Sequence, residues 1–371
     1  MSLPFLSICI PTYNRRHMLE QVLSPVLAAA AQSGGKIEVC VSDNGSQDDT
    51  WDCLQKEAET HPSLRIRKNN ENLGFHKNLL LALRMGGGKF IWPLSDDDPI
   101  DPEGLKAALG VLERHEGEGL VAALALASGW PQEAIPFFPD EVCSTGEFAE
   151  RFSRYILSSP RPGAYCFLPS HIYSRERLLP LISGEEAMGR NLYNWSHLPI
   201  FLQIISSPEG KVAVVKKPAV ITDESARLAP PDSVTLPALG VKACIINRAK
   251  ASLAVPISPY LRGAIMAWQE KYASGELAKA YIRAMAVRWA VSPELYKKMI
   301  GELDALWPDV PMQGAQRLLL SALSSAAKSK LACAAASPAL RARRSMREYG
   351  EKLAKYEKKE LVNIEDRSLD G

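Results

Sequence analysis

Lys89-Phe90-Ile91-Trp92-Pro93-Leu94, followed by Ser95-Asp96-Asp97-Asp98, sets a short apolar strand directly against three consecutive acids. Two carboxylates about 4 Å apart repel by roughly 4 kcal/mol at an effective dielectric near 20, so such a run needs a compensating charge when it is held in a folded loop. A divalent cation is one partner. Mg²⁺ and Mn²⁺ take one or two protein carboxylates and fill their remaining positions with phosphate oxygens and water. The structural alternative is a solvated helix N-terminus, since Pro99-Ile100-Asp101-Pro102-Glu103 opens a helix.

Upstream of the acids the chain alternates strand and helix signals. Phe5 to Ile10 is an apolar, β-prone run stopped by Pro11, and Arg16 to Ala31 follows as a helix. Ile37 to Val41 is a second strand, with a helix opening at Gln47-Asp48-Asp49. Leu64 to Arg67 and Gly74 to Met85 form a third pair, and Gly119 to Leu126 is a further buried strand. This alternation predicts an α/β fold, a Rossmann-like and mainly parallel sheet with helices on its faces.

In such sheets ligands bind beyond the carboxyl ends of the strands. That edge collects Pro11-Thr12-Tyr13-Asn14-Arg15, Ser42-Asp43-Asn44-Gly45-Ser46, Asn72-Leu73-Gly74-Phe75 and Ser95-Asp96-Asp97-Asp98. Asp43 can accept hydrogen bonds from a base N–H or a ribose hydroxyl, or else close an Asx-turn. Tyr13 can stack on a nucleobase or simply pack. Asn72 and Gly74 can equally be turn residues.

The rest of the chain bounds the function. Of 371 residues 46% are apolar and 23% charged, with a net charge of +2, which describes a globular protein and gives no sign of nucleic-acid binding. Seven dispersed cysteines without a CxxC pair fit a reducing compartment better than a disulfide or zinc framework. No apolar run is long enough to span a bilayer and no secretory leader is evident, so a cytoplasmic protein is expected. From about Leu239 onward the sequence is Ala-, Leu- and Lys/Arg-rich with helical periodicity, broken at Pro256, Pro259, Pro293, Pro308 and Pro311. The expected division is an α/β domain over 1–235, with halves at about 1–115 and 116–235, and a helical C-terminal region over 236–371.

Taken as an ordered set, the four loops, with Asp48, Thr50 and Asn78, resemble the family 2 glycosyltransferases of the GT-A fold over roughly Leu3 to His115. The resemblance implies an inverting transfer from a nucleoside-diphosphate sugar, a UDP-sugar first, to a glycan, lipid-linked or protein acceptor, in bacterial surface polysaccharide or glycoconjugate synthesis. It implies that Pro11, Thr12, Tyr13 and Asp43 hold base and ribose, with Arg15, Asn72, Asp96 and Asp97 completing the donor site. Asp98, the last acid of the DxD-like motif, is then the ligand of Mn²⁺ or Mg²⁺.

Acceptor chemistry is written less clearly. The family's general base usually follows the acids by some 90 residues, in a Glu-Asp pair before a helix. Here the region offers Glu185-Glu186 and Asn191 to Pro199, so Glu186 and His197 are the candidates; His197 can also be a structural histidine. Tyr193 and Trp195 can stack on a sugar, and Arg227, with Asp223 and Glu224, falls where the family closes over the diphosphate. Between Lys328 and Glu360 ten Lys or Arg stand against four Glu, which reads either as a solvated basic helix or as peripheral attachment to the inner face of an anionic membrane. A nucleotidyltransferase and an inactive, scaffolding relative are the rival readings; the first normally carries a glycine-rich phosphate loop after the first strand, and Pro11 to Arg16 has no glycine.

Overall fold

The computed structural model describes residues 3–128, 137–158 without 139, 165 and 167–184, 196–221, 246–310 without 289, and 314–329, with single positions at 312, 333 and 351. These residues fall into two compact units. One comprises the described residues up to Ile221 together with Ala251–Ala264, and the other those at 246–250 and from Ile265 on. The expected boundary at 235 lies outside the described residues.

The first unit is built on strands β1 (Leu6–Thr12), β2 (Ile37–Asp43), β3 (Leu64–Lys68), β4 (Phe90–Pro93), β5 (Leu120–Ala127), β6 (Val142–Ser144), β7 (His171–Ser174) and β8 (Lys211–Val220). They form one sheet in the order β3-β2-β1-β4-β7-β5-β8-β6. Strands β1 to β4 run parallel to one another, as does β5 to β8, whereas β7 runs antiparallel to β4 and β5, and β6 antiparallel to β8. All seven residues of β1 and of β2 are buried, as expected of central strands covered on both faces. The covering helices include α1 (Arg16–Gln32), α2 (Thr50–Thr60), α3 (Gly74–Met85) and α4 (Pro102–Arg114). Leu19, Val22, Leu23, Val26 and Leu27 form the buried stripe of α1.

Pro11 does not stop the first strand. Its lack of an N–H is harmless there, because β4 pairs with β1 only as far as Cys9↔Pro93 and the side of β1 that Pro11 faces has no further ladder partner. The second helix begins at Thr50 and not at Gln47. Asp48 accepts from the Thr50 amide at 3.1 Å and from its hydroxyl at 2.5 Å, so the acid serves as a turn before the helix.

Beyond β5, where the sequence pattern is hard to read, the unit adds α5 (Thr145–Ser158), α6 (Arg175–Ile182), α7 (His197–Ile205) and strands β6 to β8. The fully buried Trp92 of β4 donates from Nε1 to the carbonyl of Pro169 at 2.7 Å, just before β7. A short α8 (Arg248–Leu253) follows, and then the 29-residue α9 (Pro259–Val287).

The second unit is helical, as its composition predicts. It includes α10 (Pro293–Ala305) and α11 (Gly314–Lys328). Pro259 and Pro293 open helices instead of breaking them, the position where a missing N–H costs nothing; Ser292 caps α10 by accepting from Leu295 N at 3.1 Å. A polar knot ties its helices. Asp304 accepts from the Tyr281 hydroxyl and from Ser324 Oγ at 2.8 Å and pairs with Lys328 at 2.7 Å, while Trp307 Nε1 donates to Tyr281 at 2.8 Å.

Candidate functional site

The four polar loops leave the carboxyl ends of β1, β2, β3 and β4, which run parallel side by side, so one edge receives all of them. Hydrogen bonds then join them in sequence. Asn14, at a positive φ of 51°, turns the chain after β1; its amide donates to Ser46 Oγ at 2.9 Å, and its Oδ1 accepts from Gln47 N at 2.8 Å. Asn is among the residues that adopt this conformation at least cost.

Asp43 ends β2 with no exposed surface. Its carboxylate accepts from Ser46 N at 3.1 Å and from the Ser46 hydroxyl, the Asx-turn that the residue pattern allows, and Lys68 Nζ stands 4.0 Å away. Asn44 staples the second loop to the third. Its amide nitrogen donates to Asn72 Oδ1 at 2.8 Å, while its Oδ1 accepts from Leu73 N at 3.0 Å and Asn69 Nδ2 at 3.1 Å. Gly45, at φ 77°, brings the loops so close that a Cβ would lie 2.9 Å from the Glu71 carbonyl carbon. Asn78, on α3, is the buried hub beneath. It accepts from Ser42 Oγ at 2.7 Å and from Asn69 at 3.0 Å, and donates to the carbonyls of Ser42 at 3.0 Å and Thr12 at 3.3 Å.

The acids form a turn, not a helix cap. The N-cap of α4 is Asp101, which accepts from Gly104 N at 2.6 Å. Asp96 is 6% exposed, accepts from Thr12 Oγ1 at 2.8 Å and pairs with Arg15 Nη1 at 2.9 Å; the same nitrogen reaches Asp97 Oδ2 at 3.0 Å. Burial pushes the Asp96 carboxyl above its ordinary range, a shift that Arg15 and Thr12 counter without cancelling, while Asp96 in turn raises the Arg15 guanidinium. Asp97 is exposed and Asp98 half-buried. Main-chain bonds hold both ends of this turn. Leu94 N donates to Cys9 O at 2.9 Å upstream; downstream, Ile221 N donates to Pro99 O at 2.7 Å and Asp101 N to Ala219 O at 2.9 Å.

Thr12, Arg15, Asp96 and Asp97 therefore meet directly, and Asp43 and Asn72 are joined through Asn44 and Ser46. Pro11 lies buried in β1, and Tyr13 is half-buried at its end. His197 starts α7 at 4% exposure, its ring 5.6 Å from His171, which stacks on Phe201 at 3.9 Å. Its neighbour Ser196 hydrogen bonds His76 Nδ1 at 2.6 Å, which fixes the start of α7 beside the helix that follows the third loop. Glu186, Tyr193, Trp195, Asp223, Glu224 and Arg227 lie outside the described residues, as does most of the basic tail. The residue pattern singled out neither Asn14 nor Ser46 as a latch, nor Asn44 as a staple; their signal was the density of Asn and Ser in loops that share one sheet edge.

Residues 7–131 match the profile of Glycosyl transferase family 2. The chain is 25% identical to the abequosyltransferase RfbV of Salmonella typhimurium over 227 residues, 58% of this chain and 66% of that protein. It is 35% identical to the chondroitin synthase of Escherichia coli over 107 residues, 29% of this chain and 15% of the synthase. With an undecaprenyl-phosphate 4-deoxy-4-formamido-L-arabinose transferase of Pseudomonas syringae it shares 30% over 128 residues, 34% of this chain and 38% of that one. It thus spans no more than two thirds of the length of these relatives. Among solved structures, S. aureus TarS 1-349 in complex with UDP superposes with a TM-score of 0.51 at 16% identity, covering 96% of this chain and 92% of that one. The mannosyltransferase PcManGT from Pyrobaculum calidifontis, in complex with GDP-Man and Mn²⁺, also gives 0.51 at 16% identity, covering 98% and 89%. Residues 7–131 are a family 2 glycosyltransferase domain, and the sheet that extends them has the GT-A fold.

Proposed function

We propose that this chain transfers a sugar, with inversion, from a nucleoside-diphosphate sugar to a glycan or lipid-linked acceptor in the assembly of a bacterial surface polysaccharide. The observation that carries the reading is the convergence of Thr12, Arg15, Asp96 and Asp97 with the Asp43 and Asn72 loops on one sheet edge. Relatives named for abequosyl and formamido-arabinose transfer, and neighbours holding UDP or GDP-Man, support it.

On this reading the base and ribose lie against Tyr13 and the Asp43 turn, and the diphosphate faces the acid run. The donor set suits Mn²⁺ or Mg²⁺. Asp98 would be the protein ligand of such an ion, whose remaining positions phosphate oxygens and water can fill. Such an ion would supply the charge that a departing nucleoside diphosphate needs. Arg15 orients the acids, and Thr12 holds the buried Asp96. Of the two base candidates we favour Glu186, because His197 is a buried first residue of α7, 4% exposed, and fits a structural histidine better than a base open to an acceptor. Among the described residues no helix is long and apolar enough to cross a membrane; a cytoplasmic protein held at the inner membrane face by its basic tail fits lipid-linked acceptors.

The test is a panel of UDP-, GDP- and dTDP-sugars with Mn²⁺, read by thermal stabilisation and donor hydrolysis, for the wild type and Asp98→Ala. One donor should stabilise the wild type and lose most of its effect in D98A. Nucleotide binding that ignores both metal and Asp98 would sink the proposal.

A further inference from the structure

Arg15 is placed in a way that its membership of a donor site does not explain. A single nitrogen, Nη1, lies 2.9 Å from Asp96 Oδ1 and 3.0 Å from Asp97 Oδ2, and the other oxygen of Asp96 already accepts from Thr12 at 2.8 Å. The guanidinium thus neutralises two of the three acids from within the chain. It does so from the solvent side: the Arg15 side chain is 48% exposed and that of Asp97 45%, against 9% for Asp96. Arg15 sits as the N-cap residue of α1 without a capping side-chain bond, so its side chain has no second duty in holding that helix.

We infer that Arg15 is a resident counter-cation that occupies Asp96 and Asp97 in the free protein and makes divalent-metal binding conditional on the nucleotide. The inference rests on the reading of this edge as a nucleotide-sugar site. A divalent ion approaching the bare acid run meets like charge a few ångströms away in addition to two carboxylates already engaged. A diphosphate changes the balance, because pairs of its phosphate oxygens accept from the planar Arg15 guanidinium in a bidentate fashion and carry more charge than a carboxylate. When the guanidinium turns to phosphate, Asp96 and Asp97 are released to help hold the ion or its water shell. Metal and nucleotide then bind cooperatively, and by linkage each raises the affinity of the other by the same factor. The exposed position of Arg15 lets this exchange happen without unpacking the core.

The experiment measures Mn²⁺ binding to the full chain by the loss of the free-ion electron paramagnetic resonance signal, without nucleotide and with UDP or GDP. The variants are R15Q and R15M, which remove the charge at similar length, and R15K, which keeps it. Without nucleotide, R15Q and R15M should bind Mn²⁺ about tenfold more tightly than the wild type, the order expected when a unit charge next to the site is removed. R15K should stay close to the wild type, and the enhancement of Mn²⁺ affinity by nucleotide should shrink in the two neutral variants. A residue that merely shapes the loop predicts the opposite, weaker binding in every variant. A wild type that binds Mn²⁺ with UDP or GDP, beside neutral variants that show no gain without nucleotide, overturns the inference alone. A wild type that binds Mn²⁺ under neither condition overturns the reading of the site as well.

Discussion

Gly104 lies in the first turn of α4, three residues after the N-cap Asp101, where a Cβ would stand 2.1 Å from the Pro218 carbonyl oxygen and 2.4 Å from Ala219 Cα. Both contacts are main chain, so no side chain can swing aside. G104A must push the start of α4 away from β8 by an ångström or so, which strains the two bonds that join this point to β8, Asp101 N to Ala219 O and Ile221 N to Pro99 O. Overpacking costs about 1–3 kcal/mol and each weakened bond up to about 1 kcal/mol, against about 1 kcal/mol of helix propensity gained, for a net loss of about 3 kcal/mol. For a unit of this size that lowers the melting temperature by about 6–12 °C. Gly110, in the same helix, is the control. Its Cβ would meet only Arg114 Nη1, at 3.3 Å on a flexible side chain, so G110A should be neutral or stabilising by up to about 1 kcal/mol. Differential scanning calorimetry of both variants, with Mn²⁺-dependent nucleotide binding alongside, decides the matter. If the two alanines melt alike, or G104A melts with the wild type, the close packing of α4 on β8 is wrong.

Other consequences are equally open to measurement. Asn78→Ala strips the hub of its bonds to Ser42, Asn69 and Thr12 and leaves buried partners unmet, so it should cost about 3 kcal/mol in urea unfolding and loosen nucleotide binding more than any surface change on α3. Asp304 feels burial first, which lifts its carboxyl, but Lys328, Tyr281 and Ser324 more than reverse that and hold it below its ordinary value. A depressed carboxylate contributes stability above its unfolded value of about 3.9 and loses it as pH falls through the folded one, so Trp307 fluorescence should report loosening of the helical unit below about pH 4, and D304N should remove that dependence. Glu186→Gln should abolish transfer to acceptor while sparing Mn²⁺-dependent nucleotide binding; equal loss of both would place Glu186 on the donor side instead.

The first half of the sheet was readable because its physics is local and repeated. Strands β1, β2 and β4 are apolar runs closed by polar residues, β3 alternates apolar and basic ones, and parallel pairing sends all four closures to one edge. The second half escaped the same reading for identifiable reasons. Strand β7 has four residues and contains His171, whose ring stacks on Phe201 across the fold. Strand β8 carries Lys216, Lys217 and Pro218 within its span, and its pairing with β5 jumps register at that point, so the alternation that marks a strand is interrupted where the strand bulges. In the site itself the acids were visible as a cluster, but their internal partner was not. Nothing in the spacing of Arg15 and Asp96, 81 residues apart, indicates that one nitrogen serves two carboxylates. Asp43 likewise read as ligand or turn with equal right, and only the Ser46 contacts show that the turn is made.

The turn that carries the acids is fastened at one end to β1, through Cys9, and at the other to the end of β8 and the residue after it, through Ala219 and Ile221. The sequence profile of the family ends at residue 131, well before β8 begins. A truncated or grafted module cut at that profile boundary would keep Thr12, Arg15, Asp43, Asn72 and the acid run and lose one of the two anchors of the acid turn. A graft that carries this edge therefore needs a junction beyond Ile221, or a donated strand whose exit offers the same pair of backbone groups.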